Sequence, residues 1–178
     1  DVFFDLVERM PEHHFFITEY EGRMNILVGA RDGLSAFVTQ RNELQSDMPT
    51  LRPGALVSVT VGGELFSILF LHLKSFDAPR SWGLRDDMIE RVRDLKHALD
   101  DRADGGEGAN VVVAGDFNTM GMDVTYYDPD VTAEEEIGRY EELLESCDLR
   151  RLPKSEDETW YDVDGEYEPS DLDHAFAS

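Results

Sequence analysis

Two runs, Leu65-Phe66-Ser67-Ile68-Leu69-Phe70-Leu71 and Val111-Val112-Val113-Ala114, are apolar at almost every position. A strand with one wet face alternates polar and apolar residues, so a run without alternation suits a strand covered on both faces. Such strands sit inside a layered structure, and the helical patterns that alternate with them agree with layered α/β packing. Both runs stop abruptly in polar residues, His72-Leu73-Lys74-Ser75 after the first and Gly115-Asp116-Phe117-Asn118 after the second. Chemistry is concentrated at the ends of two buried strands.

The flanking pattern supplies the other layers. Val2, Phe3, Leu6, Val7 and Met10 recur at helical spacing before Pro11, which predicts a short amphipathic helix. His14 to Tyr20 and Met24 to Ala30, separated by Glu21-Gly22-Arg23, read as a hairpin that Ser35 to Arg41 extends. Gly62-Gly63-Glu64 joins a strand over 55–61 to the first apolar run as a tight hairpin. From Leu84 to Asp101, Met88, Val92, Leu95 and Leu99 share one helical face. Residues 104–108 read as a flexible glycine-rich loop. Thr132-Ala133-Glu134-Glu135 resembles a capping box opening a helix to about Cys147, with Ile137, Tyr140, Leu143 and Leu144 inward. Thr159 to Val163 and Leu172 to Ala177 are read as the last two strands.

The 178 residues fit one domain with a sizeable core, and no apolar stretch approaches the roughly 18 residues of a membrane span. Cys147 is the only cysteine, which excludes an internal disulfide and a multi-cysteine zinc site; a buried, inert thiol is expected. Against 39 Asp plus Glu stand 16 Lys plus Arg, a formal net charge of -23. Such an anion repels phosphate polymers at low salt, because phosphate contacts come from basic side chains. Lysine is confined to Lys74, Lys96 and Lys154, and the acids are spread along the chain. That distribution resembles proteins of salt-loving microbes, where ionic strength above 1 M brings the Debye length below about 3 Å; a merely acidic protein is the alternative. The cytoplasm is the favoured compartment, and the oligomeric state stays open.

In Gly115-Asp116-Phe117-Asn118, a carboxylate and an amide lie two residues apart and so point to one side. Hard cations such as Mg²⁺ take oxygen ligands, and phosphoryl transfer uses groups of this kind near the attacking water. By itself the pattern is equally an Asx-type turn.

The three motifs together resemble the endonuclease/exonuclease/phosphatase superfamily, which includes deoxyribonuclease I-like enzymes. Gly115-Asp116-Phe117-Asn118 looks like its signature, Leu71-His72-Leu73-Lys74-Ser75 like its histidine segment, and Ser170-Asp171-Leu172-Asp173-His174 like its late Asp-containing strand, in the family's order. The resemblance implies a four-layer α/β sandwich of two mixed β-sheets with outer helices. It also implies a phosphoric ester hydrolase using Mg²⁺ or Mn²⁺. In that reading His72 contacts phosphate or acts as acid or base, Asp116 activates water or holds the metal, Asn118 positions substrate or metal, and Asp173 orients a catalytic histidine. A nuclease-type phosphodiester hydrolase acting on DNA or a nucleotide is favoured. Phosphomonoesterases, lipid phosphodiesterases and non-catalytic binding domains on the same scaffold remain alternatives.

The family pattern also has an early strand carrying Asn and a metal-binding Glu, and a closing Ser-Asp-His. Neither is found in these residues, so the chain reads as a single domain trimmed at both ends. Glu8 is the early acidic candidate but falls in the predicted helix, and His174 points to the opposite sheet face from Asp173. Asp162-Val163-Asp164-Gly165 fails the EF-hand spacing because Trp160 stands at the first ligand position. His13, His14 and His97 read as structural or surface groups. Packing and capping roles are expected for Arg85 and Trp82, which otherwise suit phosphate contact and ring stacking.

Overall fold

The computed structural model describes residues 2–178 except 23, 46, 104, 105, 107, 125–130 and 167. Helix α1 (Val2–Arg9) precedes an antiparallel pair, β1 (His13–Ile17) and β2 (Leu27–Arg31). The main sheet contains β3 (Ala36–Arg41), β4 (Gly54–Val61), β5 (Glu64–His72), β6 (Asn110–Asp116), β7 (Arg150–Arg151) and β8 (Asp173–Ala177), in the order β3-β4-β5-β6-β8-β7. Its neighbours are antiparallel except β5 and β6, which run parallel with α2 (Pro79–Asp100) as the crossover. Helix α3 (Ala133–Glu145) lies between β6 and β7 in the chain. The α/β class with two sheets agrees with the expectation; the sheets are unequal, and the smaller is antiparallel.

Alternation along the central strands explains the layers. Leu56, Leu69, Leu71, Val111, Val113 and Phe176 form one large core with Met88, Ile89 and Val92 of α2 and Tyr140 and Leu144 of α3. The intervening residues Ala55, Val57, Ile68 and Phe70 meet Val28 of β2 in a second, smaller core. Strand β5 thus packs on both faces, which is why its sequence does not alternate, whereas β6 buries Val111 and Val113 in the large core and leaves Val112 and Ala114 only half-buried.

Local chemistry fixes the element ends. Gly62 and Gly63 have φ of 63° and 93°, the positive values a two-residue hairpin turn requires, and set Val61 opposite Glu64. Thr132 and Glu135 form a reciprocal capping box on α3. Helix α2 begins at Pro79, earlier than Leu84, because proline is favoured in the first helical turn.

Two strand expectations are corrected, and one strand was not foreseen. Residues 36–41 do not extend the first hairpin: β3 pairs with β4, setting Ala36 opposite Val59. Residues 159–163 form no strand; only a bridge joins Trp160 to Ser170, and the Thr159 hydroxyl accepts the N–H groups of Leu172 and Asp173. The two-residue β7 beside β8 is absent from the sequence expectations, since Arg150 and Arg151 carry no strand pattern. Arg23 of the first turn, and residues 104, 105 and 107 of the glycine-rich loop, lie outside the described residues.

Candidate active site

Register sets the site. His72 pairs with Asp116 across β5 and β6, and Asp116 pairs with Asp173 across β6 and β8, so the three occupy one row at the strand ends. Alternation points all three away from the large core, because Leu71, Leu73 and His174 face the other way. His72 Nε2 lies 3.3 Å from Asp116 Oδ2. At Gly115, φ is 147° and an added Cβ would stand 2.0 Å from the carbonyl oxygen of Leu71. Only glycine allows β6 this close to β5 just before Asp116.

Asn118 is tied to the same two motifs. Its backbone N–H donates to Asp116 Oδ1 at 2.9 Å, its Nδ2 donates to the Leu73 carbonyl at 3.3 Å, and Leu73 N–H donates to the Asp116 carbonyl at 2.8 Å. Its φ of 49° is one that Asn tolerates better than most residues. The asparagine therefore closes an Asx-type turn and also buries its amide beside Asp116. Phe117, fully buried between them in sequence, anchors the turn in the large core.

Burial governs the electrostatics. His72 is pushed down to about 4 by desolvation and then by Arg52, and Asp173 opposes this only in part. The imidazole is neutral at physiological pH despite its carboxylate neighbour. Desolvation raises the Asp116 carboxyl above the usual range, the Asn118 N–H lowers it, and Asp173 raises it further. The Asp173 carboxylate is exposed and makes no hydrogen bond among the described residues.

Arg85 is fully buried and does not face solvent phosphate. Its Nε and one Nη2 proton bind the Glu136 carboxylate at 2.7 and 3.0 Å; further bonds reach the carbonyls of Lys74 at 3.0 Å, Phe76 at 2.6 Å and Gly121 at 2.8 Å. Tyr140 Oη also donates to Glu136 at 2.6 Å. One guanidinium thus fastens the loop after His72, the loop after Asn118 and helix α3. Trp82 is half-buried with Arg139 over its ring, a packing role.

The remaining candidates stand apart. Glu8 lies on α1, which buries none of its residues. His14 pairs with Asp32 at 3.1 Å on the surface, and His97 is in the last turn of α2. His174 is buried in contact with Thr119 Oγ1 at 2.9 Å. Cys147 is buried, its thiol donating to the Leu144 carbonyl at 3.1 Å and raised by desolvation. Among the described residues no three or more His, Cys, Asp or Glu side chains form a group able to enclose a metal ion.

Sequence reasoning missed a cavity of about 520 Å³ beside His72, where Arg52, Lys74 and Arg80 meet Tyr20, Met48 and Leu51. Arg52 lies in a turn with no pattern to mark it. Lys74, one of three lysines and part of the histidine motif, carried the available signal.

No protein-family model matches the sequence, and no curated protein matches it. Solved structures do. TDP2 from Caenorhabditis elegans superposes with a TM-score of 0.67 at 13% identity, covering 98% of this chain and 50% of that one. The 3' phosphatase NExo from Neisseria, bound to a product DNA hairpin, gives a TM-score of 0.57 at 17% identity over 96% of this chain and 68% of that one. TDP2 from D. rerio, complexed with a single-strand DNA product, gives 0.55 at 16% identity over 98% of this chain and 65% of that one. The chain has the deoxyribonuclease I-like fold. It spans 50% of the first of these proteins, and identities this low establish the fold alone. Within the deoxyribonuclease I-like frame, His72, Asp116 and Asp173 stand together at strand ends, and no described helix is long and apolar enough to cross a membrane.

Proposed function

We propose that this chain carries the catalytic face of a Mg²⁺- or Mn²⁺-dependent phosphoric ester hydrolase, of nuclease type, acting on a DNA end or nucleotide. The observation that carries the reading is the row His72, Asp116, Asp173 on adjacent strand ends, with Asn118 bonded to the middle member. The solved structures of this fold that hold DNA product, NExo and D. rerio TDP2, support a phosphate ester as substrate.

The donor set suits a hard divalent cation. Mg²⁺ characteristically takes one or two carboxylates and completes its shell with water and substrate phosphate. Asp116 and the amide oxygen of Asn118 are the residues that would hold it; a larger protein cage is not required. Such an ion supplies Lewis-acid polarisation and lowers the pKa of water. Asp116, with its raised carboxyl, accepts a proton from the attacking water. Asn118, its backbone fixed on Asp116, orients that water or the ester. Neutral His72 donates an N–H to a phosphoryl oxygen as negative charge grows there. Asp173, exposed beside Asp116 in the row, would orient a histidine.

A second reading, a domain that binds phosphate esters without turnover, draws on the absence of a three-acid group among the described residues. Hydrolysis of p-nitrophenyl phosphate and its bis-ester, measured against Mg²⁺ and Mn²⁺ concentration, separates the two. Metal-dependent turnover that vanishes in Asp116→Asn supports the hydrolase. Full rates in excess chelator, or in Asp116→Asn, would overturn it, and metal-independent ester binding without turnover leaves the binding domain.

A further inference from the structure

We infer that the cavity beside His72 is the substrate subsite and takes a compact ester of a dianionic terminal phosphate, bound by Arg52, Lys74 and Arg80, with the ester group against Tyr20, Met48 and Leu51. This rests on the phosphoesterase reading and selects within it a terminal phosphomonoester over a nuclease's internal diester.

The argument starts from pairing. In a chain of net charge -23, cations find carboxylates easily. Among the described residues every Lys and Arg is in an ion pair except Arg9, Arg52, Lys74, Arg80 and Arg102. Arg9 closes α1, and Arg102 donates to the Ala98 carbonyl at 2.7 Å just past α2, where the helix dipole favours a cation. The other three line one cavity. No carboxylate is among the described residues that line it.

The groups there are also under-satisfied. Arg52 Nε is buried without an acceptor; its other contacts are the Leu73 carbonyl at 3.2 Å and the Met24 thioether at 3.8 Å, a weak acceptor. Among the described residues Lys74 meets no carboxylate, and its ammonium stands over the Phe76 ring at 4.8 Å. Desolvation, then Arg52, Arg85 and Arg80, depress its ammonium pKa, so mutual repulsion is left uncompensated. A phosphate dianion answers this charge better than the single charge of an internal diester. Size agrees: about 520 Å³ accommodates one small ligand. A long polyanion would meet the remaining acidic surface, whereas a compact ester meets only the cavity.

Equilibrium binding at pH 8 in low salt, using phenyl phosphate as dianion and methyl phenyl phosphate as monoanion, tests the assignment. The dianion is expected to bind about tenfold or more tightly, and exposed Arg80→Gln, alone or with Lys74→Gln, to erase the margin while Arg80→Lys keeps most of it. Equal affinities in the unaltered protein, or a margin unchanged in the double variant, would overturn it. If the margin is unaffected by these changes while Asp116→Asn abolishes hydrolysis, the subsite falls and the hydrolase stands. If Arg80→Gln erases the margin while Asp116→Asn hydrolyses normally, the dianion subsite stands and the hydrolase falls.

Discussion

His72 and Asp116 face each other across the parallel pair β5 and β6, Nε2 to Oδ2 at 3.3 Å, and burial drives both toward their neutral forms. An ion pair held for stability would show the reverse, the histidine raised and the carboxyl lowered. Charge here is expensive, as expected where a group must act on substrate.

Asp116→Asn should therefore separate function from stability. A folded-state pKa above the unfolded value means that ionisation at neutral pH weakens the native state, so removing the charge stabilises it. Urea unfolding at pH 7 is expected to show a gain of about 1 kcal/mol, with hydrolysis reduced by about 10²-fold or more. His72→Ala should lose comparable activity. A variant both less stable and fully active would contradict each half of the argument.

Arg85→Met tests the buried clamp. The change strands the Glu136 carboxylate and three carbonyls in the interior, and breaking a buried pair costs about 3–5 kcal/mol. Pairing it with Glu136→Gln should recover part of the loss in denaturant titrations. A loss under about 1 kcal/mol in the single variant would mean that the guanidinium is not the tie between the two loops.

The strands β5 and β6 were legible in the sequence as unbroken apolar runs, the first because both its faces are packed, and α2 and α3 because their inward faces are periodic. Order along the chain carried the row of His72, Asp116 and Asp173. What sequence could not carry is partnership between distant segments. Arg85 reads as one more helical cation until Glu136, 51 residues away, is seen beside it. Arg52 and Arg80 likewise become a cluster only when the turn before β4 meets the start of α2. Strand β3 has a strand-like sequence, yet nothing local says which sheet it joins.

Gly115→Ala should fold poorly for a reason visible only across strands. The residue has φ of 147°, and its Cβ would meet the Leu71 carbonyl oxygen at 2.0 Å. Strain of this kind costs about 1–3 kcal/mol before any clash is counted. Circular dichroism melts should show the loss, whereas Gly83→Ala, with nothing within 4 Å of its added methyl, should be neutral or stabilising.

Acid should uncover His174. Burial pushes this imidazole down to about 4, with Asp171 opposing and Arg151 and Lys154 assisting. Its Nε2 meets Thr119, and its Nδ1 has no hydrogen-bond partner among the described residues. Because the unfolded chain takes up the proton near pH 6.5, stability is full above that value and falls as pH drops toward 4. Compared with His174→Phe, the unaltered protein should lose up to about 3 kcal/mol more over that window. The comparison matters because acid also relieves repulsion among carboxylates. Parallel stability curves for the two proteins would show that burial of His174 does not govern the response.

Salt addresses the acidic surface itself. The net charge of -23 and the confinement of lysine to three positions call for a cause independent of catalysis. Dispersed carboxylates repel one another in dilute buffer, and the repulsion is screened as ionic strength rises. The melting temperature should climb substantially between dilute buffer and molar KCl. Any nucleic-acid binding should weaken only gently with salt, because few cations are free to displace counterions from phosphates, and the slope of log affinity against log salt counts those displacements. Arg52, Lys74 and Arg80 set its expected size: about three phosphate contacts give a slope near 2 to 3 in magnitude. Some screening occurs in any acidic protein, so the size of the change discriminates. A melting temperature that is flat or falls with KCl would remove the adaptation to high salt, and a slope near 6 or beyond would mean that cations outside the cavity carry the binding.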